Sequence, residues 1–415
     1  MTEHHQPATR TPAADLAATL LDRVREHAEL FRADADASDR SGSIDPRVTE
    51  ALRAAGGFGL ITHPDTGTGA LVRVGIGLAT QHPTAAWNWV VSSTNQQFAR
   101  QFCLAAGWEL EPNPDRLWCG VFASPSASAT TDPDRPGDHL VTGVWPYASN
   151  SDWAQWAVLN VVHDDIGAAV VLIPRSELSV SERWDAIGLR GSGSHTLAAQ
   201  QLRVPASRLL PVSEVGREDP SGPFALRTPA RLRTALGLAA VAAGAARQLL
   251  DAVIDDTAAR PVSPARAPGT PGGASGRPGF AISLGEADSR IRVAARTLID
   301  VADALDVRAE AGDPHTATQL TEDRLLLGRA ARDLSDAVHE LSLIAGSRAG
   351  LMTDPVGRAW RDAHIAVRHA ALAPAVGFHL GGLALLGPES SSALAAAGPL
   401  SPGQHAPEKP AQGRP

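Results

Sequence analysis

From Asp15 to Phe31 the apolar residues Leu16, Leu20, Val24 and Phe31 recur at helical spacing with Glu and Arg between them, which predicts a helix. A second helix is predicted from Pro46, a good first-turn residue after Asp45, to Ala55, closed by Gly56-Gly57. A third covers Thr84 to Phe102, after His82-Pro83. Near Trp118 the pattern changes to short β-rich runs separated by Asp, Pro and Gly: WCGVFASPSASA, HLVTGVWPYAS, WAQWAVLNVVH, AAVVLIP, then Leu178–Trp184 and Leu197–Val204, closing near Pro211. Helical periodicity returns in Ala230–Ala259, where Gly237, Ala240 and Gly244 are spaced for close helix contact. It continues in Leu284–Arg308 and Thr321–Gly346, which read as long antiparallel bundle helices, then in Val356–Ala373 and Ala375–Leu386. The chain is thus expected to be α+β: a frayed tail over 1–13, a helical domain over 14–115, a β domain over 116–212, and a four-helix bundle over 226–388 interrupted by a Pro/Gly-rich loop at 261–280, with a disordered tail over 389–415.

The 415 residues suffice for two or three domains, and 43% hydrophobic with 20% charged residues is a globular composition. A net charge of −8, with Lys409 the only lysine, leaves no basic footprint for nucleic acid. Cys103 and Cys119, the two cysteines, make neither a disulfide framework nor a metal cage. The first residues lack a signal-peptide stretch, and no apolar run of membrane-spanning length is evident, so a cytoplasmic protein is expected.

Walker, GxGxxG, HExxH, CxxC and GxSxG signatures are absent. His163-Asp164-Asp165 lies between two strand-like runs and reads as turn chemistry, and no metal site is expected. Two segments carry more: Gly143-Val-Trp-Pro-Tyr-Ala-Ser149-Asn150, and Trp184-Asp-Ala-Ile-Gly-Leu-Arg-Gly-Ser192-Gly193-Ser194-His195, followed by Val204-Pro205. Each alone is a strand leading into a Ser/Gly turn. With Ala85-Ala86-Trp87 before Val90, and Arg361-Asp362 followed by His369, they form an ordered set that resembles the acyl-CoA dehydrogenase superfamily over residues 15–388. The likeness is nearest to its flavin-dependent monooxygenases, the 4-hydroxyphenylacetate and steroid-ring hydroxylases and the amino-sugar N-oxygenases.

This resemblance implies a reduced FAD or FMN, O2 as co-substrate, and a C4a-hydroperoxide that hydroxylates a small phenolic or polyketide substrate, with reduced flavin delivered by a separate reductase. It places Ser149, Ser192 and Ser194 as donors to the flavin, Gly193 where backbone approaches it, Asn150 where the family has Gly, and Trp145 or Trp184 over the ring. Trp87, Asn95 and His369 would line the substrate pocket, with His369 and Ser149 acting in the chemistry. Arg277 and Phe280 resemble the pair that holds a flavin diphosphate across a subunit interface, and the superfamily forms dimers and tetramers. Desaturation needs a carboxylate base beside the flavin. Ala230–Ile254 contains no Glu, and Ala366–Gly387 contains neither Asp nor Glu, which disfavours that reaction. N-oxygenation of an amine and a non-redox cyclase or binding protein are the alternatives. The segment Pro64-Asp-Thr-Gly-Thr-Gly69 and Gln200-Gln201 depart from the family pattern.

Overall fold

The computed structural model describes residues 12–62, 66–108, 113, 116–122, 126–215, 227–259 and 278–387. Arg277, the segment 389–415 and most of 1–13 and of 261–280 lie outside the described residues.

The helix predicted from Asp15 to Phe31 is two helices, α1 (Pro12–Arg25) and α2 (Ala28–Ser41), so helix begins inside the segment expected to be a tail. Helix α3 (Pro46–Ala54) starts as expected: Asp45 accepts the Arg47 N–H with its side chain and Pro46 needs no partner. Helix α4 (Thr68–Ala79) escapes the periodicity argument because it is buried nearly all round, with nine of its 12 residues in the core. The Thr-Gly-Thr-Gly sequence before it has a physical reason. The Asp306 carboxylate accepts the Thr68 and Gly69 N–H groups, each at 2.7 Å, and a Cβ on Gly67 would lie 2.2 Å from that carboxylate. Burial pushes the Asp306 carboxyl up to about 6.

Helix α5 (Pro83–Ala106) leads into eight strands: β1 (Trp118–Val121), β2 (Ser128–Thr131), β3 (His139–Ala148), β4 (Trp156–His163), β5 (Gly167–Pro174), β6 (Ser179–Glu182), β7 (His195–Val204) and β8 (Leu209–Pro211). They form one sheet in the order β6-β7-β3-β2-β4-β5-β8, with β1 pairing in parallel with β4. The β3–β7 ladder shifts register between Trp145 and Ala148. That irregularity turns the end of β3 away from regular pairing just before Ser149.

The remaining helices are α6 (Ala230–Ala259), α7 (Pro278–Ala311), α8 (Ala317–Ala345), α9 (Pro355–Ala366) and α10 (Pro374–Leu386). By length and composition α6 is apolar enough to cross a membrane, but α4, α5, α7, α8 and α9 wrap it and take up its surface. The small residues do what their spacing predicts: a Cβ on Gly244 would lie 2.4 Å from the Ile76 carbonyl oxygen, and one on Gly237 2.8 Å from Val90. Side chains of α1–α5 and of α6–α9 belong to one continuous apolar cluster, while the sheet has its own around Trp145, Leu159 and Val171. The helical segments on either side of the sheet therefore form one packed unit.

Candidate functional site

Two loops of the β region are laced together. The Asn150 N–H donates to the Ser192 carbonyl at 2.8 Å, the Ser151 N–H to the Gly193 carbonyl at 3.2 Å, and the Ser151 hydroxyl to the same carbonyl at 2.6 Å. Left-handed backbone at Tyr147, Asn150, Leu189 and Gly193 makes these turns. Asn is the non-glycine residue that best tolerates this conformation, so Asn150, at φ 68°, preserves the geometry of the glycine that the family pattern has there. Its side chain donates to the Trp118 carbonyl at 3.1 Å, away from the serines. Asn150→Gly keeps the backbone angle and loses only the buried bond to Trp118, about 1 kcal/mol, whereas Asn150→Ala adds about 1–2 kcal/mol of backbone strain to that loss in urea unfolding.

The 184–195 loop is also pinned from the helical side. Leu189 donates its N–H to the Asp362 carboxylate at 2.7 Å, and the Arg190 guanidinium donates to the Asp39 carbonyl at 2.6 Å. A Cβ on Gly188 would lie 2.1 Å from the Arg361 carbonyl oxygen. Burial pushes the Asp362 carboxyl up, against the pull of Arg358. His195 buttresses the loop's far end, accepting the Trp184 N–H at Nδ1 (2.8 Å) and donating from Nε2 to Asp152 (3.1 Å).

Where the loops meet, the hydroxyls of Ser149, Ser194 and Ser192 form a buried row, each 2.7 Å from the next. Trp87 of α5 donates its indole N–H to Ser149 Oγ at 3.1 Å, and its ring meets that of His369 edge-on, with centroids 5.6 Å apart. His369 is not inside a helix spanning 356–373 as the sequence predicted. Helix α9 ends at Ala366, and His369 has extended backbone and caps a short 3-10 turn, its Nδ1 accepting the Ala371 N–H at 3.1 Å. The chain leaves α9 at Ala366 and passes through this turn to enter α10 at Pro374, whose ring holds Ala373 out of helical conformation. The protein packed around it pushes the imidazole down to about 4, although the residue itself is exposed. The ring is therefore neutral near pH 7, and with Nδ1 accepting, the proton sits on Nε2.

The structure thus brings together Trp87, Ser149, Ser192, Ser194 and His369, with Gly193 in the same turn. Trp145 does not join them: it is wholly buried in the sheet core, its indole N–H donating to the Asn160 carbonyl at 2.8 Å, and has no face left for a flavin. Trp184 stands at the rim, edge-on to the exposed Tyr147. Asn95 sits eight positions further along α5 and packs on β1, its Oδ1 2.0 Å from where a Cβ on Gly120 would lie. Phe280 opens α7, half-buried against the helical core. Sequence reasoning missed the partnerships of Trp87 with Ser149 and of Asp362 with Leu189, which join residues 62 and 173 positions apart. It also left the His195–Asp152 pair unassigned, although the histidine follows Ser194 directly. Among the described residues no group of three or more His, Cys, Asp or Glu is placed to hold a metal ion; His163 instead contacts His139 at 3.1 Å and accepts the Asp165 N–H in its turn.

A helical unit clasping a β region, with a polar seam between them, defines the acyl-CoA dehydrogenase fold, and residues 236–374 match the family model described as "Acyl-CoA dehydrogenase, C-terminal domain". The relatives are more particular. The chain is 27% identical to the "FADH(2)-dependent resorcinol hydroxylase, oxygenase component" of Rhizobium sp., over 90% of this chain and 94% of that one. It is 25% identical to the "Pigment production hydroxylase" of Rhodococcus erythropolis, over 91% and 98% of the two. XiaF from Streptomyces sp., solved with FADH2 and glycerol, superposes with a TM-score of 0.80 at 25% identity, covering 94% of this chain and 98% of XiaF. The chain thus carries an acyl-CoA dehydrogenase C-terminal domain over residues 236–374, and the relatives and structure neighbours it resembles over most of its length are oxygenase components of flavin-dependent monooxygenases. Its seam fits such a cofactor chemically: a row of buried hydroxyls, each able to donate and accept, and an imidazole Nε2–H suit the nitrogen and oxygen atoms along a flavin's polar edge.

Proposed function

We propose that the chain is the oxygenase component of a two-component system, receiving reduced FAD or FMN from a separate reductase and hydroxylating carbon on a small phenolic or polyketide substrate. The observation that carries this reading is the convergence of Trp87, Ser149, Ser192, Ser194 and His369, from three distant parts of the chain, on one seam. Bound reduced flavin supplies the two electrons that activate O2, one oxygen atom going to the substrate and the other to water. The chain's residues do the rest. Ser149, Ser192 and Ser194 hold the ring's polar edge, and Gly193, at φ 56°, lets backbone approach it. His369 would present its Nε2–H to an oxygen bound beside Trp87. The stretch of α6 from Ala230 to Leu250 carries no carboxylate, Asp251 beyond it is paired with Arg247, and Asp152 is engaged by His195, so neither desaturation nor capture of a cationic amine is favoured. A dimer or tetramer assembled through the helical unit is part of the same proposal.

Anaerobic titration of the purified protein with reduced FAD and reduced FMN, followed by oxygen with resorcinol and related phenols, tests this. Micromolar or tighter binding of one reduced flavin and a hydroxylated phenol are expected. Absence of binding by either flavin overturns the proposal.

A further inference from the structure

We infer that Trp87 is a positioning residue that sets the direction of the serine hydrogen-bond row and holds the His369 ring, and this inference rests on the flavin reading above. Tryptophan's indole has a donor and no acceptor, so the contact at 3.1 Å has one polarity: Trp87 gives, Ser149 Oγ receives. Ser149 then has its own proton to place, and the neighbouring hydroxyl is Ser194, at 2.7 Å, followed by Ser192 at 2.7 Å. A row of hydroxyls by itself can run in either direction, because each serine both donates and accepts. An obligate donor at one end selects the direction running from Trp87 through Ser149 and Ser194 towards Ser192, and each bond strengthens the next in this buried setting. The same indole meets the His369 imidazole edge-on at 5.6 Å, while Ala371 fixes the imidazole's proton on Nε2. One side chain on α5 therefore orients a hydroxyl from the end of β3 and a ring from the α9–α10 connection. Phenylalanine keeps an apolar ring at this position but has no N–H.

The test combines an apo-protein measurement with one on the flavin-loaded protein. In protein labelled with 15N at the indoles of its nine tryptophans, the Trp87 N–H signal, identified by its loss in Trp87→Phe, is expected to shift and exchange faster in Ser149→Ala. An unmoved signal overturns the pairing, and this readout needs no flavin. In the second measurement, protein loaded with reduced flavin is mixed with O2 without substrate; the flavin is oxidised and O2 takes up two electrons and two protons as hydrogen peroxide. Trp87→Phe and Ser149→Ala are each expected to release peroxide about fivefold faster, the equivalent of one net hydrogen bond, with the double variant no faster than Ser149→Ala alone. Effects that multiply, or a Trp87→Phe protein that behaves as wild type while still binding flavin, overturn the inference. Failure of the wild type to bind reduced flavin removes the flavin reading and the positioning role with it, leaving the indole signal to report the pairing alone.

Discussion

Replacing Arg361 with alanine is expected to lower the free energy of unfolding by about 3–5 kcal/mol, more than any surface substitution in the chain. Arg361 and its partner Asp39 are both buried, on α9 and α2, and the guanidinium also donates to the Leu351 and Met352 carbonyls at 3.1 and 3.2 Å. Removing the cation leaves Asp39 charged and desolvated with its main partner gone, and strands two carbonyls. The comparison is Arg296→Ala, whose partner Asp300 lies one turn away on α7 with both side chains largely in water. That pair contributes about 0.3–0.5 kcal/mol at most. Urea unfolding of both variants gives the contrast directly, and equal effects would show that the buried pair contributes little. Because Arg361 adjoins Asp362, which holds Leu189, the Arg361 variant should also loosen the 184–195 loop and weaken flavin binding.

Replacing His369 with phenylalanine is expected to reduce phenol hydroxylation about a hundredfold, the lower end of what a positioned proton donor contributes, while reduced flavin still binds. Phenylalanine keeps the ring contact with Trp87 and removes both nitrogens. The wild-type pH profile distinguishes this role from that of a histidine titrating in water. With the imidazole pushed down to about 4 by the protein packed around an otherwise exposed ring, it stays neutral through most of the range where an unperturbed histidine, near 6.5, would gain its proton. Hydroxylation should show no His369-dependent acid limb near pH 6.5, its loss of the neutral donor beginning only towards pH 4. For stability the sign follows: between these two values the folded protein binds fewer protons at this site than the unfolded chain. The fold therefore loses stability as pH falls through that window, and His369→Phe should flatten that part of the stability profile. An acid limb at 6.5 that disappears in the variant would overturn the assignment.

Much of the architecture is legible in the sequence because the pattern is unambiguous where elements are amphipathic or bounded. Helix α6 runs over the expected residues, Ala230 to Ala259, and the β runs become strands of one sheet. What periodicity cannot show is an element without a solvent face, which is why α4 goes unseen, or a break that follows from packing, such as the one freeing His369 from α9. In the site, the serines could be named because their turns carry a recognisable pattern. Trp145 sits in the same pattern but serves the sheet core, since strand alternation alone does not say which face meets a cofactor. The departure at Asn150 resolves once its backbone angle is known: sequence likeness registers a changed residue, whereas the chain keeps a conformation that both residues can adopt.

The shared core of the flanking helices also orders events during synthesis. Leu71, Val74 and Leu78 of α4 are buried in a cluster completed by Leu236, Val241 and Leu249 of α6 and by Leu298 of α7, all made after the whole sheet has been translated. The first five helices thus leave the ribosome with much of their apolar surface lacking its partners, while one face of the sheet closes a cluster within its own segment and the other packs mainly on α5, which is made before it. The sheet is placed to fold first, and the early helices must wait for the end of the chain. A nascent chain halted after β8 would present a folded sheet carrying an unfinished helical half, the species a chaperone would meet.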